Sequence, residues 1–190
     1  MYTNLINHIR RYIQLEEKQL ESIHRHFKAL SLNKKEHLLY EWQICKYNYF
    51  VTKGCLRMYF YRDKGTEQIT QFALENWWMT DYSSFISQTE SSYNIQAVED
   101  SYILAIEYSS YDKLLQEVPQ LERYFRIMAQ KALAASQVRL KLIFEMSKED
   151  MYLHFKSSFP DFIQRIPQYM LASFLDLTPE YLSELRKKNL

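Results

Sequence analysis

The sequence predicts an α+β fold: an N-terminal jelly-roll-like β-roll, one long helix and a C-terminal helix-turn-helix. Three observations in the 190 residues carry this prediction. Short β-branched and aromatic runs fill residues 29–106, broken by Lys53-Gly54 and Asp63-Lys64-Gly65, the pattern of antiparallel strands joined by hairpin turns. No proline or glycine interrupts the chain between Pro119 and Met146, which allows a helix of about seven turns. All four prolines fall in the last 72 residues and both glycines in the first 65, so the chain has two parts of different architecture.

Residues 2–27 place Leu5, Ile9, Tyr12 and Ile13, then Leu20, Ile23 and Phe27, at steps of three and four. That is helical periodicity, and two short helices open the chain. Seven strands follow at 29–32, 36–41, 47–52, 56–61, 67–74, 93–98 and 102–106, a number and spacing that suit a sandwich, jelly roll or barrel. Ser109-Ser110-Tyr111-Asp112 has capping-box spacing and starts a short helix that runs to about Val118. Pro119 then occupies the N1 position of the long helix. The resulting division is 1–118 for the roll, 119–146 for the helix and 147–190 for the terminal part.

Composition narrows the function. With 47% hydrophobic and 25% charged residues the chain buries an ordinary core. It has no run of about 18 apolar residues, so no membrane span is expected. Its first residues lack the apolar core of a signal peptide, which points to the cytoplasm. The 24 basic and 23 acidic residues leave a net charge of +1, so any nucleic-acid contact must be local. Cys45 and Cys55 are the only cysteines and lack CxxC spacing, so they are read as reduced and buried. His24-x-His26 lies in a helical stretch where positions i and i+2 point apart, which excludes a metal pair. Two glycines cannot build a phosphate-cradling loop, and no catalytic motif or resident cofactor is expected.

The last residues carry the sharpest pattern. Pro167 suits the first turn of one helix, Thr178 is an N-cap and Pro179 stands at N1 of a second helix. Met170, Leu171, Phe174 and Leu175 face Leu182 and Leu185, and the small Ala172 allows close crossing. Such a motif places its second helix in the major groove of double-stranded DNA. Thr178, Glu180, Tyr181, Ser183 and Glu184 are the candidate base and phosphate contacts, and Arg186, Lys187 and Lys188 the phosphate contacts. The alternative is a helical hairpin that only finishes the core, since residues 147–190 balance six basic with six acidic residues.

In the long helix Leu121, Phe125, Met128, Ala132, Ala135, Arg139 and Leu142 alternate steps of four and three. This heptad seam predicts a homodimer, with Tyr124, Ile127, Leu133 and Val138 turned toward the protein's own body. The alternative is a helix packed inside one monomer, Arg139 marking the end of its buried stretch.

The order of parts, taken with specific stretches, resembles the Crp/Fnr family of bacterial transcription regulators. Phe50-Val-Thr-Lys-Gly-Cys-Leu-Arg-Met-Tyr59 is similar to the family's strand–Gly–strand hairpin. Gln71-Phe72 with Glu75-Asn-Trp-Trp-Met-Thr-Asp81 resembles the start of its phosphate-binding cassette, Asn94-Ile-Gln-Ala-Val-Glu-Asp100 the following strand, and 167–188 its helix-turn-helix. The resemblance implies a small-molecule effector pocket at Trp78, Thr80, Asp81, Tyr82, Ser83, Ser91 and Ser92. It also implies departures from the family pattern. Thr80-Asp81 replaces the Gly-Glu whose Glu holds the ribose, and Ser91-Ser92 stands where Arg-Ser would hold the cyclic phosphate. A pocket without that cation is expected not to take cyclic AMP. No cysteine precedes Cys45, against the iron–sulfur branch. Asp176 replaces the glycine of the turn, Glu184 replaces an arginine of the reading helix, and no β-wing is expected after Leu190.

Overall fold

The computed structural model describes residues 1–188. The chain forms two compact units, one of Met1–Phe60 with Gln71–Ala129 and one of Tyr61–Thr70 with the chain from Gln130 onward. This division differs from the three segments read off the sequence. The long helix is shared between the units, and the turn around Gly65 belongs with the C-terminal helices.

In the first unit, α1 (Tyr2–Arg10) and α2 (Glu17–His26) lead into β1 (Phe27–Leu32), β2 (His37–Leu39), β3 (Tyr47–Lys53) and β4 (Leu56–Tyr61). β5 (Glu67–Ala73), β6 (Trp78–Met79), α3 (Tyr82–Ser87), β7 (Asn94–Ala97), β8 (Ser101–Glu107) and α4 (Tyr108–Glu117) follow. The strands make two four-stranded sheets, in the orders β1-β8-β3-β6 and β2-β7-β4-β5. The seven expected strands are present with shifted ends, and β6 and α3 are additional. Trp78-Met79 is too short to announce itself, and the serine-rich run after Asp81 reads as a turn until its cap is seen.

One hairpin expectation is corrected. Lys53-Gly54 does not join paired strands, because β3 and β4 lie in different sheets. Gly54 has φ +102, and a Cβ there would overlap Ser101, so the chain crosses between sheets where only glycine fits. The second turn is a true hairpin. β4 and β5 are neighbours, and Gly65, at φ +74, donates its N–H to the Arg62 carbonyl at 2.7 Å.

β3 and β8 are apolar on both faces because both faces are covered. Tyr49, Val51, Ile103 and Ala105 join Leu39, Leu56, Ile95 and Ala97 in the core shared by the two sheets. Phe50, Leu104 and Ile106 point the other way, into a second core with Leu5, Ile9, Ile23, Leu114, Leu121 and Tyr124. Burying about ten such side chains at roughly 1.5–3 kcal/mol each is the main favourable term on that face.

In the second unit α5 (Gln120–Glu145) continues into α6 (Lys148–Ser158), α7 (Pro160–Arg165), α8 (Gln168–Leu175) and α9 (Pro179–Lys188). Met151, Tyr152, Phe162, Met170, Leu171, Ala172, Leu175, Leu182 and Leu185 are buried, and Phe155 packs against Phe159, Phe162 and Phe174. Ser147 caps α6 by accepting from the Asp150 N–H at 3.1 Å. The cap expected from Ser109 is absent: α4 starts two residues earlier, with Glu107 as its N-cap and no side-chain cap bond.

Candidate effector cassette and nucleic-acid interface

The cassette is assembled by Asp81. Its carboxylate ends β6 and caps α3, accepting from the N–H groups of Ser83 and Ser84 at 3.0 and 3.4 Å. The second carboxylate oxygen accepts from Ser91 Oγ at 2.7 Å, which ties the start of the cassette to its end. Ser91 also accepts from the Tyr93 N–H at 3.0 Å. Thr80 donates to the Tyr47 carbonyl at 3.0 Å and lies 3.3 Å from Cys45 Sγ. Burial pushes the Cys45 thiol up, so it stays protonated. Asp81 and Ser91 are thus brought together, with Thr80 beside them in sequence, and much of their hydrogen-bonding capacity is spent within the protein. Ser83 and Ser92 are exposed.

Trp78 belongs to a different environment. Its indole N–H donates to Tyr124 OH at 2.8 Å, and the same hydroxyl is 2.8 Å from His8 Nδ1. Tyr124 is wholly buried, and burial raises its phenol. One hydroxyl of α5 therefore joins α1 to the strand that precedes the cassette, a link without any local signal because its partners lie 46 and 116 residues away. A buried cation was also missed. Arg57 on β4 is 4% exposed, donates to Gln96 at 2.8 Å and stacks on Tyr59 at 4.2 Å.

The faces of α5 depart from the heptad reading. Leu121 and Phe125 are buried within their own chain and Met128 packs beside them, so the first half of the expected seam is not offered to a partner. Arg139 packs within the second unit, donating to the carbonyls of Thr70 and Phe174 and stacking on the Phe174 ring at 3.9 Å. Burial pushes its guanidinium down to about 10, still charged at neutral pH. Leu142 is half-buried. Conversely Leu133 and Val138, read as facing inward, are 61% and 58% exposed. Every residue from Ala129 to Val138 is exposed, Ala132 and Ala135 included. The apolar stripe that does lie open runs Ala129, Leu133, Leu140 and Phe144, to one side of the predicted seam. The N-terminal end of the heptad seam is thus used by the monomer itself, while Ala132 and Ala135 in its middle lie exposed.

The helix-turn-helix forms as the sequence indicated. Thr178 Oγ1 accepts from the Tyr181 N–H at 3.2 Å, Pro179 is the first residue of α9, and Asp176 takes the left-handed conformation at φ 57. Glu180, Tyr181, Glu184 and Lys187 are exposed along α9, while Ser183 and Arg186 are half-buried. Lys188 is tied to Glu149 at 3.1 Å. Asp176 meets Arg62 at 2.6 Å and Lys148 at 2.9 Å, and these cations hold its carboxyl below the usual carboxylate range. Beside it, Ser173 on α8 donates to the Glu67 carbonyl at 2.7 Å and accepts from the Ile69 N–H at 3.0 Å. These attachments to the β4–β5 turn span more than 100 residues and no sequence signal announces them.

The two histidines of the His24-x-His26 run part as expected: His24 lies edge-on to Tyr2, and His26 pairs with Glu117 at 3.0 Å.

Comparison with curated protein sequences returns no match. Residues 29–118 match the family of cyclic nucleotide-binding domains. Among solved structures, the c-di-GMP responsive global regulator CLP of Xanthomonas campestris shares 15% identity, with 91% of each chain covered and a TM-score of 0.73. FixK2 of Bradyrhizobium japonicum shares 18% identity over 85% of this chain and 83% of its own, at a TM-score of 0.68. The catabolite activator protein of Thermus thermophilus shares 17% over 92% and 83%, at 0.57. The roll, the long helix and the helix-turn-helix occur together in this one chain, whose residues 29–118 resemble a cyclic nucleotide-binding domain and whose fold is similar to that of CLP and FixK2.

Proposed function

We propose that this protein is a homodimeric, cytoplasmic transcription regulator that binds double-stranded DNA through α9. The observation that carries the reading is the terminal motif itself: a capped, ten-residue α9 with an exposed polar face, joined to buried α8 by a left-handed turn. One neighbour of this fold, CLP, is named a global regulator. α5 supports dimerisation, because a helical stretch exposed on every side from Ala129 to Val138 buries too little to be stable alone. A second copy packed on Ala129, Leu133, Leu140 and Phe144 would cover it, with Ala132 at its margin. Two reading helices would then sit about 34 Å apart on a near-palindromic site.

The effector pocket is proposed not to accept cyclic AMP. Asp81 is committed to the α3 cap and Ser91, and Ser91 brings no charge to a phosphate. Whatever small molecule acts as effector is therefore not recognised through that pair.

Selection from random duplex pools, followed by anisotropy at two salt concentrations, tests the reading. A selected near-palindrome bound more tightly than random duplex is expected. Binding of no duplex at low salt would leave the second reading, a β-roll whose helical tail contacts protein only. Leu140→Glu should give monomers by light scattering and lose the palindrome preference.

A further inference from the structure

We propose that the cleft between the α1–α2 turn and the start of α5 binds a small phosphorylated ligand through Arg10, Arg11 and Arg123. The cleft measures about 1060 Å³ and lies within the first unit, remote in sequence from the cassette. That is ample for a drug-sized molecule, since such sites span about 300–1,000 Å³. Arg10 and Arg11 close α1, and Arg123 stands in the first turn of α5. All three are exposed, and none has an ion-pair partner among the described residues.

Unneutralised guanidinium groups gathered on one concavity repel one another and are stabilised by a polyvalent anion. Their planar forks fit phosphoryl oxygens two at a time. Glu16 is the one acidic group of the lining and is already engaged, capping α2 and pairing with Lys18 at 2.9 Å. The uncharged donors are arranged to match. Gln19, 8% exposed, accepts from the Glu16 N–H at 2.9 Å and donates to Gln120 Oε1 at 3.2 Å. Gln120 therefore keeps its own amide N–H groups for the cleft. Tyr12, Ile13 and Leu15 supply an apolar wall for the uncharged body of the ligand. Three cations at one cleft suit a small polyanion better than the backbone of a duplex, which needs an extended track of cations. None of the residues assigned to cassette, seam or reading helix contributes to it, so this site stands or falls separately from the proposed function.

The test uses the full chain and inorganic tripolyphosphate as probe, by calorimetry and by ¹⁵N spectra of the side-chain amides. Saturable binding is expected below millimolar concentration, with shifts of the Gln19 and Gln120 amides. Arg123→Gln should weaken it about tenfold, as expected for one charge-assisted contact, and the Arg10→Gln/Arg11→Gln/Arg123→Gln variant should abolish it. Arg25→Gln, which touches only Glu117 at the surface, should bind as the parent does. Three outcomes overturn the proposal: no binding at millimolar probe, binding undiminished in the triple variant, or shifts confined to α9. A fourth is a triple variant that loses affinity for duplex DNA while tripolyphosphate never competes with that DNA, which would make the arginines a track for DNA phosphates. Circular dichroism identical to the parent establishes that the triple variant is folded, and Arg123→Lys, keeping charge without the fork, should bind with intermediate affinity.

Discussion

The cassette and the helix-turn-helix each turn on one aspartate, and the two carboxylates are used in opposite ways. Asp81 is 6% exposed and satisfied entirely by its neighbours in sequence, two backbone N–H groups and Ser91. Asp176 is exposed and satisfied by cations distant in sequence, Lys148 and Arg62, while its backbone takes the left-handed shape of the turn. A buried carboxylate serves as a structural bolt, because removing its partners or itself strands groups that water cannot reach. An exposed one competes with solvent and salt, and its pairing is worth little. The same residue type therefore signals rigidity in the cassette and an adjustable fastening at the turn.

Substitution at Asp81 should have the largest effect. Asp81→Ala removes the α3 cap and leaves Ser91 without its acceptor, a loss of about 2–4 kcal/mol in urea-induced unfolding. A change under about 1 kcal/mol would break the comparison, because that is the range of an exposed carboxylate.

Arg139 tests whether the second unit has a bolt of its own. Its guanidinium serves two backbone carbonyls and a ring, so Arg139→Ala should cost about 2 kcal/mol. Arg139→Lys should recover less than half, since an ammonium cannot bridge both carbonyls in one plane. Hydrogen exchange of the amides around Thr70 and Phe174 is the local readout.

Tyr124→Phe sharpens the cassette side. It deletes the hydroxyl that receives the Trp78 N–H and meets His8, with no loss of ring packing. About 1–2 kcal/mol should be lost, and a red-shifted Trp78 fluorescence would report the freed indole. No change would mean that the hydroxyl is not part of the bolt.

Asp176→Asn should be smallest, within about 1 kcal/mol at neutral pH and less at high salt. Its pH dependence has a definite sign. The folded carboxyl sits below its usual value because Lys148 and Arg62 favour the charged form. Its contribution is therefore full above the unfolded pKa near 3.8 and is lost as pH falls through the lower folded value. The parent should lose that increment between about pH 4 and 2, and Asp176→Asn should not. A difference that persists below pH 2 would assign the effect to the turn's backbone instead.

Legibility followed the range of each interaction. Thr178 and Pro179, and the backbone of Asp176, act within four residues of themselves, and the turn and helix start they set are as the sequence indicated. Asp81 was singled out by position, yet its work was hidden, because a carboxylate that caps α3 and one that awaits a ligand look alike in a sequence. Arg139 was singled out for its place in the heptad, yet its partners, like those of Arg62 and Ser173, are brought near only by the fold.

The sequence by itself determined the antiparallel strands, the long uninterrupted helix, the caps at Ser147 and Thr178 and the left-handed turn, because backbone sterics and local hydrogen bonds act along the chain. The tertiary structure decided which sheet each strand joined, which side of α5 met its own core, and whether a polar group was free or already spent. Periodicity shows that a face is apolar but not what covers it: Leu121 and Phe125 are packed in the chain's own core, whereas Leu133 and Leu140 on the same helix are left exposed.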